Sequence, residues 1–483
     1  MNWQALHQSI YLQGDLHGID RPLPMNPLIN LAEGVRPNSI AVAGGAFGDE
    51  GKGRIVDELC ARLGAGSQPV YVYRWNGGPN AGHTVIVGGT RIALHQLPSG
   101  ALHENAYILL GKGMVIHPSD LVEEIETLLR LRGGAALKLQ IDEMAVLALD
   151  THRAYEAALK AWESGGKGAT GRGISPAYAD VLYRHPMRVR DLASPDWVER
   201  LGRHYDLYEA LIKGLGLPLA EVTVPALHRD PIPAGSRQAF FTRLAEAREK
   251  LLPYVRPGGL GAEVWWAGNA PAIFEGAQAI GLDPRFGVYP DITASDPTFS
   301  GILHSTEGVV APERIAVRAG TIKATYTSSV GTRRLPTLMD EGLAHRIRED
   351  AHEYGATTRR PRDIAHIDLT CLRFFATVSS MTHLLLTHLD IAYSDSPLRV
   401  CTHYLNSTGE VVGYRPDQDY LNRVTPQYLE LPSWDGQAVQ GVRSLRDLPP
   451  AALQYIAFLS GALGVVPLMG TTGPERDSMI SWV

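Results

Sequence analysis

Apolar residues along this chain form short continuous runs that alternate with segments of helical spacing. Residues 39–45, SIAVAGG, are a β-branched apolar run that ends in glycine, which is typical of a buried strand. A glycine-rich turn follows, and residues 54–63 then place their apolar side chains at helical spacing. The order of strand, glycine turn and helix predicts the first unit of an α/β fold.

The same pattern recurs further along the chain. Residues 107–110 and 384–387 are predicted to be strands, and residues 121–131 and 451–463 helices. Strands interleaved with helices favour a large, mostly parallel central sheet with helices on both faces. We find no internal repeat, so we expect one large α/β domain over residues 39–483, with its main excursion at about 196–268. Residues 1–38 are rich in proline, lack a sustained period and are interpreted as an N-terminal extension.

Composition and charge argue against several classes of protein, including nucleic-acid-binding and membrane proteins. The chain has 483 residues and a formal net charge of -6, which gives no general basic field for a nucleic-acid backbone. No run of 18 apolar residues and no signal peptide are present, so neither a membrane span nor secretion is expected. The three cysteines are far apart and form no CxxC pair, which favours buried thiols in a reducing compartment. A cytoplasmic location follows as the expectation.

The first candidate for chemistry is the turn at residues 48–54, GDEGKGR, between the first strand and the first helix. Backbone N–H groups at such a turn, together with a helix N-terminus, form an anion site, and Lys52 can reach the bound oxygens. The turn is not a regular P-loop, because Gly45 to Gly51 is one residue too long and Gly53 replaces the usual Ser or Thr. Asp49 can supply a metal ligand or act as a base. Taken alone, the turn is also compatible with a solvated surface loop.

The second candidate is the loop at residues 74–84, RWNGGPNAGHT. Its glycines expose the backbone, and Asn80 and His83 add polar side chains. A histidine there can donate a proton or stabilise charge that develops on an oxygen. A single histidine in a turn is more often a surface or capping residue, so this loop alone proves little.

Together the two loops are far more specific. GDEGKG at 48–53 and NAGHT at 80–84 are followed in order by LHQLPSG at 94–100, GATGRGISPAY at 168–178 and FEGAQ at 274–278. GATT at 355–358, THLD at 387–390 and TGPER at 472–476 complete the series. This series resembles the adenylosuccinate synthetase family over about residues 39–480.

The resemblance implies an activity and a fold. Members of this family phosphorylate the 6-oxygen of IMP with GTP, and the amine of L-aspartate then displaces the phosphate. The expected products are adenylosuccinate, GDP and phosphate, in AMP biosynthesis. The resemblance further implies Mg²⁺ as cofactor, GTP as co-substrate, small-molecule partners only, and a homodimer with shared sites. It also implies the family's large α/β fold with a P-loop-like phosphate-binding loop.

Site residues are implied by matching motif positions. Catalysis is assigned to Asp49, His83 and Gln278, and magnesium contacts to Asp49 and the Gly82 carbonyl. Residues expected to hold GTP are Gly48, Glu50, Gly51, Lys52, Gly53, Thr84, Arg362, His388, Asp390, Thr471, Thr472 and Gly473. Residues expected to hold IMP are Asp49, Lys52, Asn80, Ala81, Gly82, His83, Thr170, Arg184, Gln278, Thr293 and Arg360, with Arg184 reaching across a dimer interface. The aspartate loop is expected to act through Ala356, Thr357, Thr358 and Arg360.

The chain also departs from the family pattern, which keeps other functions open. His388 stands where the family has lysine, Phe47 replaces a tryptophan, and Arg333 and Arg334 are additions. One alternative is therefore the same chemistry on another purine monophosphate, such as dGMP, giving 2-amino-adenylosuccinate. Retention of Asp49 favours the ordinary reaction. A non-catalytic nucleotide-binding paralogue is a further alternative, whereas a GTPase switch would need neither the NAGHT loop nor the aspartate loop.

Overall fold

A ten-stranded sheet forms the centre of the chain, in a computed structural model that describes residues 35–87, 90–162, 170–227, 230–354 and 361–482. The strands are β1 (Arg36–Gly44), β2 (Val70–Arg74), β3 (Ala106–Leu110), β4 (Lys138–Asp142), β5 (Val255–Arg256), β6 (Ala272–Ala279), β7 (Ile315–Lys323), β8 (His383–Thr387), β9 (Val466–Thr471) and β10 (Met479–Ser481). Their spatial order is β5-β4-β3-β2-β6-β1-β7-β8-β9-β10. Every neighbouring pair is parallel except β9 with β10, so the predicted α/β class with a mostly parallel sheet is confirmed.

The central strand is β1, which pairs on one side with β6 and on the other with β7. Ile40 lies opposite Ile273 in β6 and Val317 in β7. Strands of a parallel sheet are covered on both faces, and this explains why β1 reads as a continuous apolar run and not as an alternating one. The strands predicted at 39–45, 107–110 and 384–387 are confirmed as β1, β3 and β8. β1 begins earlier than predicted, at Arg36, whose guanidinium donates to the Trp265 carbonyl at 2.8 Å.

Nine longer helices accompany the sheet in the described part of the chain. They are α1 (Lys52–Leu63), α2 (Pro118–Leu131), α3 (Asp150–Trp162), α4 (Ile174–Leu182), α5 (Trp197–Gly214), α6 (Arg237–Leu251), α7 (Glu341–Ala351), α8 (Leu369–Val378) and α9 (Pro450–Leu463). The helices predicted at 54–63, 121–131 and 451–463 are confirmed as α1, α2 and α9. The excursion over 196–268 holds α5, α6 and the short edge strand β5. Within the described ranges, no helix has both the length and the apolar character needed to cross a membrane.

The topology gathers the candidate loops at one edge. In a parallel sheet the carboxyl ends of the strands share an edge, and ligands of open α/β sheets bind in the crevice beyond it. The phosphate loop follows β1, the histidine loop follows β2, Gln278 lies near the end of β6, and the THLD motif continues β8. The histidine loop runs into a hairpin of two strands, His83–Val87 and Thr90–Leu94. All three cysteines are buried free thiols, as the sequence predicts.

Candidate active site

The phosphate loop is shaped from inside by Glu50. Its carboxylate is buried and accepts hydrogen bonds from the Gly48 N–H at 2.7 Å and the Ala46 N–H at 3.3 Å. It also pairs with the buried Lys52 ammonium at 2.8 Å. Gly48, Asp49 and Gly51 all have positive φ, at 102°, 55° and 83°. Glu50 therefore holds the loop in its curled form, and the structure places its side chain within the loop.

Two neighbouring elements support this loop. The Thr387 hydroxyl at the end of β8 donates to the Glu50 carbonyl at 2.8 Å. A Cβ on Gly51 would lie 3.2 Å from Thr387 Cγ2, and a Cβ on Gly53 would lie only 2.9 Å from His83 Cβ. The two glycines thus allow the start of α1 to contact both β8 and the histidine loop. The structure therefore brings the phosphate loop and the histidine loop together.

His83 is buried and bound to an acidic residue that sequence reasoning missed. Its Nδ1 contacts a carboxylate oxygen of Glu275, in the middle of β6. Glu275 also accepts hydrogen bonds from the Ser99 N–H at 3.0 Å and the Ser99 hydroxyl at 3.1 Å. Burial lowers the pKa of the His83 imidazole, although Glu275 acts to raise it. The neutral ring then donates from Nδ1 to Glu275 and directs Nε2 to the opposite side. Glu275 could have been singled out from the sequence, because it is an acidic residue inside an otherwise apolar strand.

Asp49 lies at the mouth of the site. Its side chain is 48% exposed and forms an ion pair with Arg362, whose Nε lies 3.7 Å from Glu353 Oε2. Gly82 is exposed, and no atom of the described residues lies within 4 Å of the position of a Cβ. A carboxylate and a backbone carbonyl are oxygen donors of the type that Mg²⁺ prefers. The residues proposed for a magnesium site fit the metal chemically, while Glu50 is already committed to Lys52 and the loop backbone.

Polar atoms without partners mark the expected purine site. Gln278 Nε2 and Asn80 Oδ1 are buried, and neither has a hydrogen-bond partner among the described residues. Buried polar groups are normally hydrogen-bonded, so these two atoms indicate where a polar ligand is recognised. Gln278 also has a left-handed backbone, φ 59°, which a non-glycine residue adopts at a cost of about 1 kcal/mol.

The other residues expected at the purine nucleotide lie at several separate positions in the structure. Ala81 is buried, and the Thr293 N–H donates to the Leu282 carbonyl at 2.8 Å. Thr170 and Arg184 are exposed, near the two ends of α4. The hydrogen bonds of the described residues connect neither of these two to the loops at the sheet edge.

Several residues expected to hold GTP lie at the ends of β8 and β9 and in the turns that follow. The His388 N–H donates to the Thr471 hydroxyl at 3.0 Å, and Asp390 Oδ1 is buried without a partner among the described residues. The Thr472 hydroxyl donates to the Val442 carbonyl at 2.6 Å, and Arg54 of α1 holds the Gly473 carbonyl. Burial raises the pKa of Asp390. An acceptor without a partner in the described part of the chain suits the N–H edge of guanine, in keeping with the expectation that Asp390 holds GTP.

The departures from the family pattern have structural consequences. His388 lies parallel to the Tyr326 ring, with its Nδ1 2.7 Å from the phenol oxygen. Burial and the Lys323 charge lower its pKa to about 4, so it supplies no charge at a position where the family has lysine. Arg333 is buried 5.0 Å above the Phe47 ring and donates to the Ser329 hydroxyl at 2.9 Å. Phe47 and Arg333 therefore pack as a pair behind the phosphate loop.

Some expected residues lie outside the described part of the chain. The aspartate-loop residues Ala356, Thr357, Thr358 and Arg360 fall in the gap between 354 and 361. Residues 1–34 of the predicted extension, and the side chain of Thr84, are likewise outside it.

Comparison with known proteins gives a consistent result. Residues 41–480 match the family model described as adenylosuccinate synthetase. An adenylosuccinate synthetase of Thermus thermophilus is 36% identical over 449 residues, covering 92% of this chain and 99% of that protein. The fully ligated adenylosuccinate synthetase of Plasmodium falciparum superposes with a TM-score of 0.80 at 27% identity, covering 92% of this chain and 99% of that one. The succinoaminodeoxyadenylate synthetase of cyanophage S-2L, bound to dGMP and dATP, has a TM-score of 0.54 at 17% identity, covering 92% and 95%. This last likeness concerns the fold alone.

Proposed function

The chain belongs to the adenylosuccinate synthetase family of GTP-dependent ligases, and from this premise we propose that it joins L-aspartate to carbon 6 of IMP. The products are adenylosuccinate, GDP and phosphate. The observation that carries this proposal is the convergence of Asp49, His83 and Gln278 at one sheet edge, beside a phosphate loop. These side chains supply a base, a group to stabilise charge, and a donor for the purine 6-oxygen.

The first step makes the 6-oxygen a leaving group. Asp49 takes the proton from N1 of the purine ring, and the 6-oxygen forms a bond to the γ-phosphorus of GTP as the bond to the β-phosphate oxygen breaks. The proposed role of His83 is to stabilise the charge that develops on the oxygen and on the transferring phosphoryl group. Incoming phosphates are anionic and favour the protonated imidazole, so His83 gains its second proton at Nε2 while Glu275 holds Nδ1.

The second step forms the carbon–nitrogen bond. The aspartate amine attacks C6, the C6–O bond breaks, and phosphate leaves with the electron pair. The amine nitrogen gives its proton to the departing phosphate, and the aromatic ring is restored. Residues 356–358 and Arg360 are the proposed holders of the aspartate carboxylates, because hydroxyl, backbone N–H and guanidinium donors suit carboxylate oxygens.

Magnesium is proposed to be held by Asp49 and the Gly82 carbonyl. When bound, Mg²⁺ neutralises phosphate charge in such transfers. Asp49 pairs with Arg362 in the structure, so the ion pair has to open before the carboxylate can act. Arg362 is then free to bind the triphosphate, in keeping with its proposed role in holding GTP.

The activity is tested by phosphate release from purified protein with Mg²⁺ and L-aspartate. IMP, dIMP, GMP and dGMP are each combined with GTP and with ATP. We expect release with IMP and GTP, and product formation that depends on aspartate. Phosphate release only with GMP or dGMP would favour the alternative in which the substrate is a 2-amino purine monophosphate. No release with any pair of nucleotides would favour the non-catalytic alternative.

A further inference from the structure

Behind Gln278 lies a buried row of polar side chains that the proposed reaction does not use. The Asn76 side chain, in the histidine loop, is bound to the backbone of Ala277: its Oδ1 accepts the Ala277 N–H at 2.8 Å, and its Nδ2 donates to the Ala277 carbonyl at 3.1 Å. A backbone N–H can only donate, so this contact fixes which end of the Asn76 amide is oxygen. Nδ2 then also donates to the Ser295 hydroxyl oxygen at 3.2 Å.

The hydroxyl of Ser295 in turn determines the orientation of the Gln278 amide. Its shortest side-chain contact, at 2.9 Å, is with Gln278 Oε1. Because Ser295 already accepts from Asn76, its single proton is free to be donated to Gln278. A reversed Gln278 amide would make Ser295 accept two N–H donors and leave its proton only the longer contact, 3.3 Å, with Thr293 Oγ1. The hydrogen bonds therefore favour the amide orientation in which Gln278 Oε1 binds Ser295 and Nε2 remains available to a ligand.

We propose that Asn76 and Ser295 are positioning residues that lock the Gln278 amide with its N–H₂ group toward the substrate, and so select 6-oxopurines against 6-aminopurines. The inference rests on the proposed function. A 6-oxygen accepts a hydrogen bond from Nε2, which otherwise is buried without a partner among the described residues. A 6-amino group would place a donor against a donor, and a polar site rejects a mismatched ligand strongly. Both locking side chains are almost fully buried, 1% and 2% exposed, so water cannot easily replace them.

The lock is tested by nucleotide binding in the absence of GTP and aspartate. Dissociation constants for IMP, GMP and AMP are measured by calorimetry on the wild type, Ser295→Ala, and Ser295→Thr, which retains the hydroxyl. Ser295→Cys is a second, size-matched variant whose thiol is a weak donor, in case Ser295→Ala does not fold. We expect wild type to prefer IMP over AMP, and the ratio of the AMP to the IMP constant to fall about tenfold in Ser295→Ala and Ser295→Cys, equivalent to the loss of one hydrogen bond. Ser295→Thr should keep the wild-type ratio.

GMP provides the internal control, because it shares the 6-oxygen with IMP. The GMP to IMP ratio should not change in any Ser295 variant, whereas a general distortion of the site would weaken all three nucleotides together. An unchanged AMP to IMP ratio in the alanine and cysteine variants would overturn the lock while leaving the proposed function intact. Wild-type protein that binds AMP as tightly as IMP would also overturn it. Wild-type protein that binds neither IMP nor GMP would overturn the lock and the proposed function together.

Discussion

At the scale of single residues, Asp49 is the side chain on which the proposed chemistry depends most. We expect Asp49→Ala to abolish turnover while the fold stays intact, because a general base contributes about 10²- to 10⁴-fold and the magnesium contact is lost with it. The side chain is half-exposed, so melting temperature and circular dichroism should change only slightly. Asp49→Asn is the matched control, since asparagine tolerates the left-handed backbone at φ 55°. Near-normal phosphate release by either variant would exclude Asp49 as the base.

Glu275 is expected to act through His83. In Glu275→Gln the neutral amide no longer balances an imidazolium, and its N–H₂ group can force the ring into the other tautomer. We expect kcat to fall by about 10²-fold or more, with the KM for IMP changed little, as for a buried carboxylate that orients a catalytic histidine. The measurement is the steady-state rate of the single variant, of His83→Ala and of the double variant.

The double variant shows whether Glu275 acts through His83 or whether its loss disturbs the site in general. If Glu275 works through His83, removing both should cost no more than removing His83 alone. Ser99→Ala is the control, because it removes another partner of Glu275 without touching the imidazole. Additive losses in the double variant would mean that Glu275 has a separate role.

These residues also show which parts of the site could be predicted from the sequence and which could not. The phosphate loop and its lysine were predicted because the glycines, Lys52 and the flanking elements are neighbours in sequence. His83 and Glu275 are 192 positions apart, and Asn76 meets Ser295 across 219. Such pairings arise only when β2 and β6 are placed side by side, so local spacing could not predict them. The inward orientation of the Glu50 side chain could not be predicted either, because its position in the motif matches residues that bind nucleotide.

At the scale of the element, α8 shows a pH-dependent helix cap. Asp368 precedes the helix and accepts from the Thr370 N–H at 3.0 Å and the Cys371 N–H at 3.1 Å, while the Tyr404 hydroxyl donates to its other oxygen. Burial raises the pKa of Asp368 to about 6, despite these hydrogen bonds. The folded protein therefore holds this proton more tightly than the unfolded chain does. Its contribution to stability is full below the unfolded pKa and is lost as pH rises through about 6.

The change Asp368→Asn should make this dependence visible. Asparagine keeps an oxygen for the cap but cannot ionise, so its melting temperature relative to wild type should rise between pH 5 and pH 8. Across this pH range the shift corresponds to about 1.4 kcal/mol of unfolding free energy, because only about one pKa unit of the difference between the folded and unfolded states lies above pH 5. Differential scanning calorimetry of both proteins across that range provides the measurement, and the difference between them removes the effect of other titrating groups. A difference that stays constant with pH would contradict this prediction, because Asp368 would then keep one protonation state from pH 5 to pH 8.

At the scale of the whole molecule, the exposed turn after α4 is the place where a second copy of the chain is expected to complete the site. Arg184 lies there at φ 68°, next to Leu182 and Tyr183, which are 82% and 75% exposed. Large apolar side chains that cluster on a surface commonly mark a protein–protein contact. In the proposed homodimer this turn carries Arg184 to the monophosphate bound by the partner, because a guanidinium binds phosphate through two parallel hydrogen bonds.

Mixing two inactive variants tests this arrangement. Asp49→Ala and Arg184→Leu should each be inactive, the second mainly through a raised KM for IMP. After dissociation and reassociation of equal amounts, a mixed dimer contains one site with both Asp49 and Arg184 intact. Activity should return to about a quarter of the wild-type rate, because half of the dimers are mixed and each has one complete site of two. Recovery requires that the two groups come from different chains, so a mixture that remains inactive, although exchange is shown by mass spectrometry, would place Arg184 outside the shared site.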